Sequence, residues 1–200
     1  MRFRGWAIVG WAAVAVGGMV LVILGAAGTG EEGVRLVIRA TARSSVLLFT
    51  TAFVASALAR TWPNALTRWM LANRRYLGVS FAVSHLAHLL AILALGGWSF
   101  RRMAAAAGPA ATILGGVAYV FVAAMVATSF DASAAWLGPR RWRLLHTGGL
   151  YYLWVVFFVS FAPRVTESTL YWPFVLGLLV ALVLRWRYGV RPPRALAAAA

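Results

Sequence analysis

Residues 75–97 read RYLGVSFAVSHLAHLLAILALGG, a run that opens on Arg75 and then carries no acidic or basic residue other than His85 and His88. A helix rises about 1.5 Å per residue, so a run of this length crosses the roughly 30 Å hydrocarbon core of a bilayer. Five further stretches are long and apolar enough to do the same, roughly residues 5–27, 35–60, 109–130, 142–162 and 169–186. The expected fold is all-α, an integral membrane bundle of six transmembrane helices. Residues 1–190 are expected to form one transmembrane domain, and residues 191–200 a cytoplasmic tail.

Composition leads to the same place. The chain is 62% hydrophobic and only 12% charged, whereas a soluble domain needs roughly a quarter of its residues charged to clothe its surface. Lipid must therefore be part of the solvent. The net charge of +15 does not point to nucleic acid, because the arginines sit at the ends of apolar runs and not on one polar face. Anionic lipid head groups are the better partner for them. Cysteine is absent, which excludes disulfides, iron–sulfur clusters and thiolate zinc sites. The opening Met1-Arg2-Phe3-Arg4 and apolar run resemble a secretory signal, but the run is longer than the usual h-region of about 7–15 residues. It reads as an uncleaved first span.

Arginine placement orients the bundle. With the amino terminus inside, the inner segments hold 13 arginines and the outer segments 6, the bias that the positive-inside rule demands. Both termini are then cytoplasmic. Many of the ten tryptophans cluster near span ends, where their amphipathic rings favour the interfacial layer. Breakers mark the linkers, among them Trp62-Pro63-Asn64, Gly108-Pro109, Gly138-Pro139 and Pro163. Arg35, Arg39 and Arg43 recur every four residues and share one helix face, so the hydrocarbon-embedded part of the second span should begin near Ser44. The stripe could meet an anionic partner, but snorkelling to head groups is the simpler expectation. Asp131 is expected to neutralise an arginine in the basic loop before the fifth span. Gly17-Gly18, Gly115-Gly116 and Gly148-Gly149 are candidates for close helix packing.

An ionisable side chain within a span is expensive and is a functional candidate by default. The central parts of the spans hold no Asp, Glu or Arg, leaving His85, His88 and His146. His85 and His88 are three apart on one face of the third span, and His146 lies near the cytoplasmic end of the fifth. Neutral imidazole is a good axial ligand for heme iron, and helical bundles present such ligands from facing helices. It is also a common hydrogen-bonding packing residue. Measured along the helices, His85 lies about 15 Å from Arg75, His88 about 20 Å, and His146 about 7.5 Å from Arg141. By depth alone, His85 with His146 is the easier pair to bridge one iron.

Two stretches resemble a known family. Arg74-Arg75-Tyr76-Leu77-Gly78, followed ten residues later by His88, is similar to the entry of the heme-binding helix of the ferric-reductase-like transmembrane domain superfamily. Leu137-Gly138-Pro139-Arg140-Arg141-Trp142-Arg143-Leu144-Leu145-His146 resembles the entry to that family's other heme-binding helix. The superfamily includes NADPH oxidases, ferric reductases and the membrane subunit of a bacterial periplasmic methionine sulfoxide reductase system. The resemblance spans roughly residues 44–162. It implies heme b between the third and fifth spans with His88 and His146 as ligands, whereas depth favours His85 with His146. It also implies a separate flavoprotein or quinone as electron donor, an extracytoplasmic acceptor protein, and residence in a bacterial inner membrane. The family usually carries another His where this chain has Val159. The expected function is therefore a heme b electron relay across the membrane, and the alternative is a non-redox structural or interaction subunit of the same fold. No dinucleotide fingerprint appears. A transporter is disfavoured, because intramembrane carboxylates, interrupted helices and internal repeats are all missing.

Overall fold

A computed structural model describes residues 4–188. The expected tail, residues 191–200, and with it Arg2, Arg191 and Arg194, lies outside the described residues. The described chain is helical throughout, in the order α1 (Trp6–Ala27), α2 (Glu31–Thr61), α3 (Ala65–Ala72), α4 (Arg74–Leu95), α5 (Phe100–Ala107), α6 (Pro109–Ala127), α7 (Asp131–Leu137), α8 (Pro139–Phe161) and α9 (Trp172–Tyr188). Two short 3-10 turns, Ala162–Val165 and Thr169–Tyr171, join α8 to α9. Six of these segments are long and apolar enough to cross a membrane. In hydrocarbon every backbone N–H and C=O must be paired inside the chain, which leaves the helix as the economical solution here. The chain is a multi-pass all-α membrane protein.

The linkers hold more structure than their breakers imply. Asn64 caps α3 through a reciprocal box, its Oδ1 accepting from the Thr67 N–H at 3.0 Å while Thr67 Oγ1 accepts from the Asn64 N–H at 3.0 Å. Pro109 and Pro139 open α6 and α8, where a missing N–H costs nothing. The glycine before each has φ near +79° or +78°, a backbone that a side chain would strain. At the inner end, Gly5 N–H donates to Asn73 Oδ1 at 3.1 Å, and Trp6 stacks on Phe130 with ring centroids 5.5 Å apart. Elements assigned to the cytoplasmic side by arginine counting thus meet one another.

The expected partner of Asp131 needs correction. Its carboxylate accepts from Arg75 at 2.7 Å, at the start of α4 and not in the loop before α8. The Asp131 side chain is 95% exposed, so the pair contributes no more than about 1 kcal/mol.

At the centre stands α2, packed on α4, α9 and α1, while α6 packs on α8. The backbones of α4 and α8 make little close approach. Rings fill the space between them and α2, with Phe49, Phe53, Phe81, Phe157 and Phe161 all buried in one core. Phe49 alone meets Phe53, Phe81 and Phe157 at centroid distances of 5.4, 5.5 and 5.1 Å. Indole and phenol groups reach backbone carbonyls across helices. Trp154 Nε1 donates to Leu178 O at 2.9 Å, and Tyr152 Oη donates to Leu114 O at 3.0 Å.

Of the paired glycines, only Gly149 sits against a neighbouring helix. A Cβ there would lie 2.5 Å from Met125 Sδ and 3.1 Å from Phe121 Cδ1, whereas one at Gly148 would meet nothing within 4 Å. Methionine can move aside more readily than the ring, so the penalty grows with side-chain size. Gly149→Val is expected to destabilise the detergent-solubilised protein by about 1–3 kcal/mol through overpacking of α6 on α8. Gly148→Val is expected to have little effect, and thermal unfolding of the two variants compares them directly.

Candidate functional site

All three histidines occupy the bundle, but in two places. His85 and His88 lie in the outer half of α4, their rings stacked with centroids 5.5 Å apart and planes 18° from parallel. His88 turns toward α2. Its Nδ1 lies 3.1 Å from Ile38 O and 3.1 Å from Thr41 Oγ1. With its N–H on Nδ1 the ring donates to that carbonyl, which leaves Nε2 deprotonated and free of any hydrogen bond among the described residues. This is the orientation that a backbone carbonyl commonly imposes on a metal-ligating imidazole.

His85 lies on the side of that stack nearer the ring-filled space between α4, α6 and α8. It is 8% exposed and packs on Tyr119 of α6 at 4.7 Å, Phe81 at 5.2 Å and Phe157 of α8 at 5.7 Å. Its Nδ1 is buried without a hydrogen-bond partner. An orphaned buried nitrogen in a hydrocarbon interior carries a desolvation cost that no hydrogen bond among the described residues offsets.

His146 lies at another level. It stacks on Trp142 with centroids 4.1 Å apart, and its Nε2 lies 3.0 Å from Thr128 Oγ1, at the inner end of α6. On α8 the residue opposite His85 is Phe157, eleven positions beyond His146, or about 16 Å along the helix.

A six-coordinate heme shared by α4 and α8 does not fit this arrangement, because two axial nitrogens must lie only about 4 Å apart across the iron. The structure brings neither His85 nor His88 together with His146. Nor does Val159 mark a gap on the inner face of α8. It is 46% exposed and points away from the buried Leu153, Phe157 and Phe161. The α4 pair by itself combines one ring oriented by a carbonyl with one buried, unpartnered nitrogen. Among the described residues, no three His, Cys, Asp or Glu side chains converge as a metal-binding group.

A seam of hydroxyls supports the pair. Ser84 Oγ lies 2.8 Å from Ser44 Oγ and 3.0 Å from Ser45 Oγ. Thr41 Oγ1 donates to Val37 O at 2.7 Å. Thr41, Ser45, Ser80 and Ser84 are each 0% exposed. Sequence reading overlooked these side chains, since Ser and Thr in an apolar helix ordinarily bond back to their own carbonyls. The available signal was their spacing, with Thr41, Ser44 and Ser45 on α2 and Ser80, Ser84 and His88 on α4 recurring at helical intervals.

No family model, curated protein or solved structure matches this chain. The site is therefore read from its own chemistry.

Replacing Ser84 by Val leaves two hydroxyls without their shared partner. Stability is expected to fall by about 0.5–2 kcal/mol. Thr51 bonds only to Leu47 O of its own helix, so Thr51→Val is expected to be near neutral. Unfolding in mixed micelles gives both values.

Proposed function

We propose that this chain is a heme b-binding redox subunit of a bacterial inner membrane, with the heme held from α4 through His88 and His85. The observation that carries the reading is the α4 pair itself. One imidazole is fixed by a backbone carbonyl with Nε2 uncommitted, and the next has a buried nitrogen with no partner. The resemblance of the two arginine-rich helix entries to the ferric-reductase-like superfamily supports the same class.

Bound there, heme would supply a one-electron couple within the bilayer. The chain's own part is to orient His88 through Ile38 and Thr41, and to surround His85 with Phe81, Tyr119 and Phe157 so that water is kept away. Phe157, the residue of α8 that meets His85, carries no metal-ligating atom, so on this reading the residues that would hold the heme come from α4 alone. The donor in this reading is a separate flavoprotein or a quinone, and the acceptor is an extracytoplasmic protein.

The test is the absorption spectrum of full-length protein purified from heme-replete cells. Reduced-minus-oxidised Soret and α bands are expected. His88→Ala is expected to lower the heme-to-protein ratio at least about tenfold, and His146→Ala to leave it unchanged. A heme-free preparation would remove the reading.

A second reading, a non-redox structural or interaction subunit of the same fold, is favoured by one specific observation. His146 already has a structural partner in Thr128 Oγ1 and stacks on Trp142, as an interhelical packing residue does. On that reading, simultaneous replacement of His85, His88 and His146 leaves the phenotype intact and the protein assembled, with at most a small loss of stability from the missing Thr128 contact.

A further inference from the structure

We infer that Arg43, Arg164 and Tyr171 form a binding site for a phosphate oxyanion at the outer boundary of the membrane. The phosphate could belong to an anionic lipid head group or be free in solution; the chemistry of recognition is shared. The inference uses none of the residues that the heme reading assigns.

Three separate segments converge there. Arg43 comes from α2, Arg164 from the turn that follows α8, and Tyr171 from the turn that precedes α9. The guanidinium carbon of Arg43 lies 5.3 Å from the Tyr171 ring centroid, and that of Arg164 lies 5.9 Å from the same centroid. Tyr171 is 8% exposed, so the ring is a fixed platform. These contacts orient both guanidiniums on the ring without neutralising them, so an anion beside them is favoured.

Among the described residues, no acidic side chain pairs with either arginine. The acidic groups with arginine partners among the described residues are Glu31, with Arg35 four residues on, and Asp131, with Arg75. Glu167 is close in sequence to Arg164 but forms no ion pair with it among the described residues. The Arg43 Nε is buried without a hydrogen-bond acceptor. Arg164 turns its own Nε to Ser160 O at 3.1 Å, which fixes that side chain against the end of α8.

Depth selects phosphate. With 31 residues, α2 is about 46 Å long, some 16 Å more than the hydrocarbon core. Arg43 lies twelve residues in, or about 18 Å from the outer end of α2. That places it where hydrocarbon gives way to head groups, the level at which lipid phosphates sit. Forked guanidinium donors match the tetrahedral oxygens of a phosphate better than a point charge does.

The experiment uses the full chain in detergent micelles with equal amounts of phosphatidylglycerol and phosphatidylcholine. Retained lipid is counted by native mass spectrometry, and inorganic phosphate is titrated as a competitor. Phosphatidylglycerol is expected to be retained over phosphatidylcholine at least about tenfold. Arg43→Gln and Arg164→Gln should each abolish the preference, while Arg39→Gln, exposed on the same stripe, should leave it intact. Displacement by inorganic phosphate would identify free phosphate as a competent ligand; retention against it would identify the lipid. Equal retention of both lipids with no effect of phosphate would overturn the inference. So would loss of the preference in Arg39→Gln, because only diffuse surface attraction responds there. Should Arg43→Gln fail to fold, Arg43→Lys keeps the charge without the fork, and a retention equal to that of the unmodified protein would count against the site.

Discussion

Serine, threonine and histidine side chains of α2 and α4 share hydrogen bonds in a region where no water can replace them, and the placement of the whole outer half follows from this. Apolar faces do not drive helices together in lipid, since lipid tails are as apolar as leucine. Association rests on packing and on polar groups that need partners. Ser84 meets Ser44 and Ser45, and His88 meets Thr41 and Ile38 O. A rotation of α4 by one residue would turn these groups by about 100° and leave them all unpaired at once. The rotation of α4 is therefore fixed, and with it the direction of both histidine rings.

Inward of the seam the logic changes from hydrogen bonds to shape. Phe49, Phe53, Phe81 and Phe157 hold α8 away from α4 and α2. Tilted and edge-on ring pairs fill that space while satisfying their quadrupoles. Arg185 closes the layer on the inner side. It donates to Phe53 O at 2.7 Å and lies over the Phe53 ring at 4.6 Å and the Tyr151 ring at 5.6 Å. A guanidinium near the end of a span can be tolerated in this way, because ring faces and a carbonyl replace part of its hydration.

Span number, span limits and the gathering of interfacial rings were legible in the sequence because they depend on local quantities, the length of an apolar run and the charges at its ends. The short helices α3, α5 and α7 were hidden behind their breakers. Proline at a first helical position and a capping asparagine look the same in sequence whether they end one helix or begin another. The partner of Asp131 was misjudged because nearness along the chain was taken for nearness in space, and Arg75 lies 56 positions away. Gly149 and Gly148 could not be separated from sequence, since only the rotation of α8 decides which of them faces Met125.

The three histidines show the same limit at the site itself. Depth counted from flanking arginines placed His85 and His146 within tilt of one another, using Arg75 and Arg141 as if both lay at the same height. In the folded chain α8 begins with three basic residues in its first turn and a half, and Arg141 is not its boundary. The contact of His85 with Phe157 is the better ruler. It compares the two helices with each other and not each with an assumed surface. On that ruler His146 belongs with Thr128 and Trp142 at the inner end, and the α4 pair belongs with the outer half. Any chemistry that joins the two levels must cross about 16 Å of aromatic side chains, so the histidines form two separate sites within one bundle.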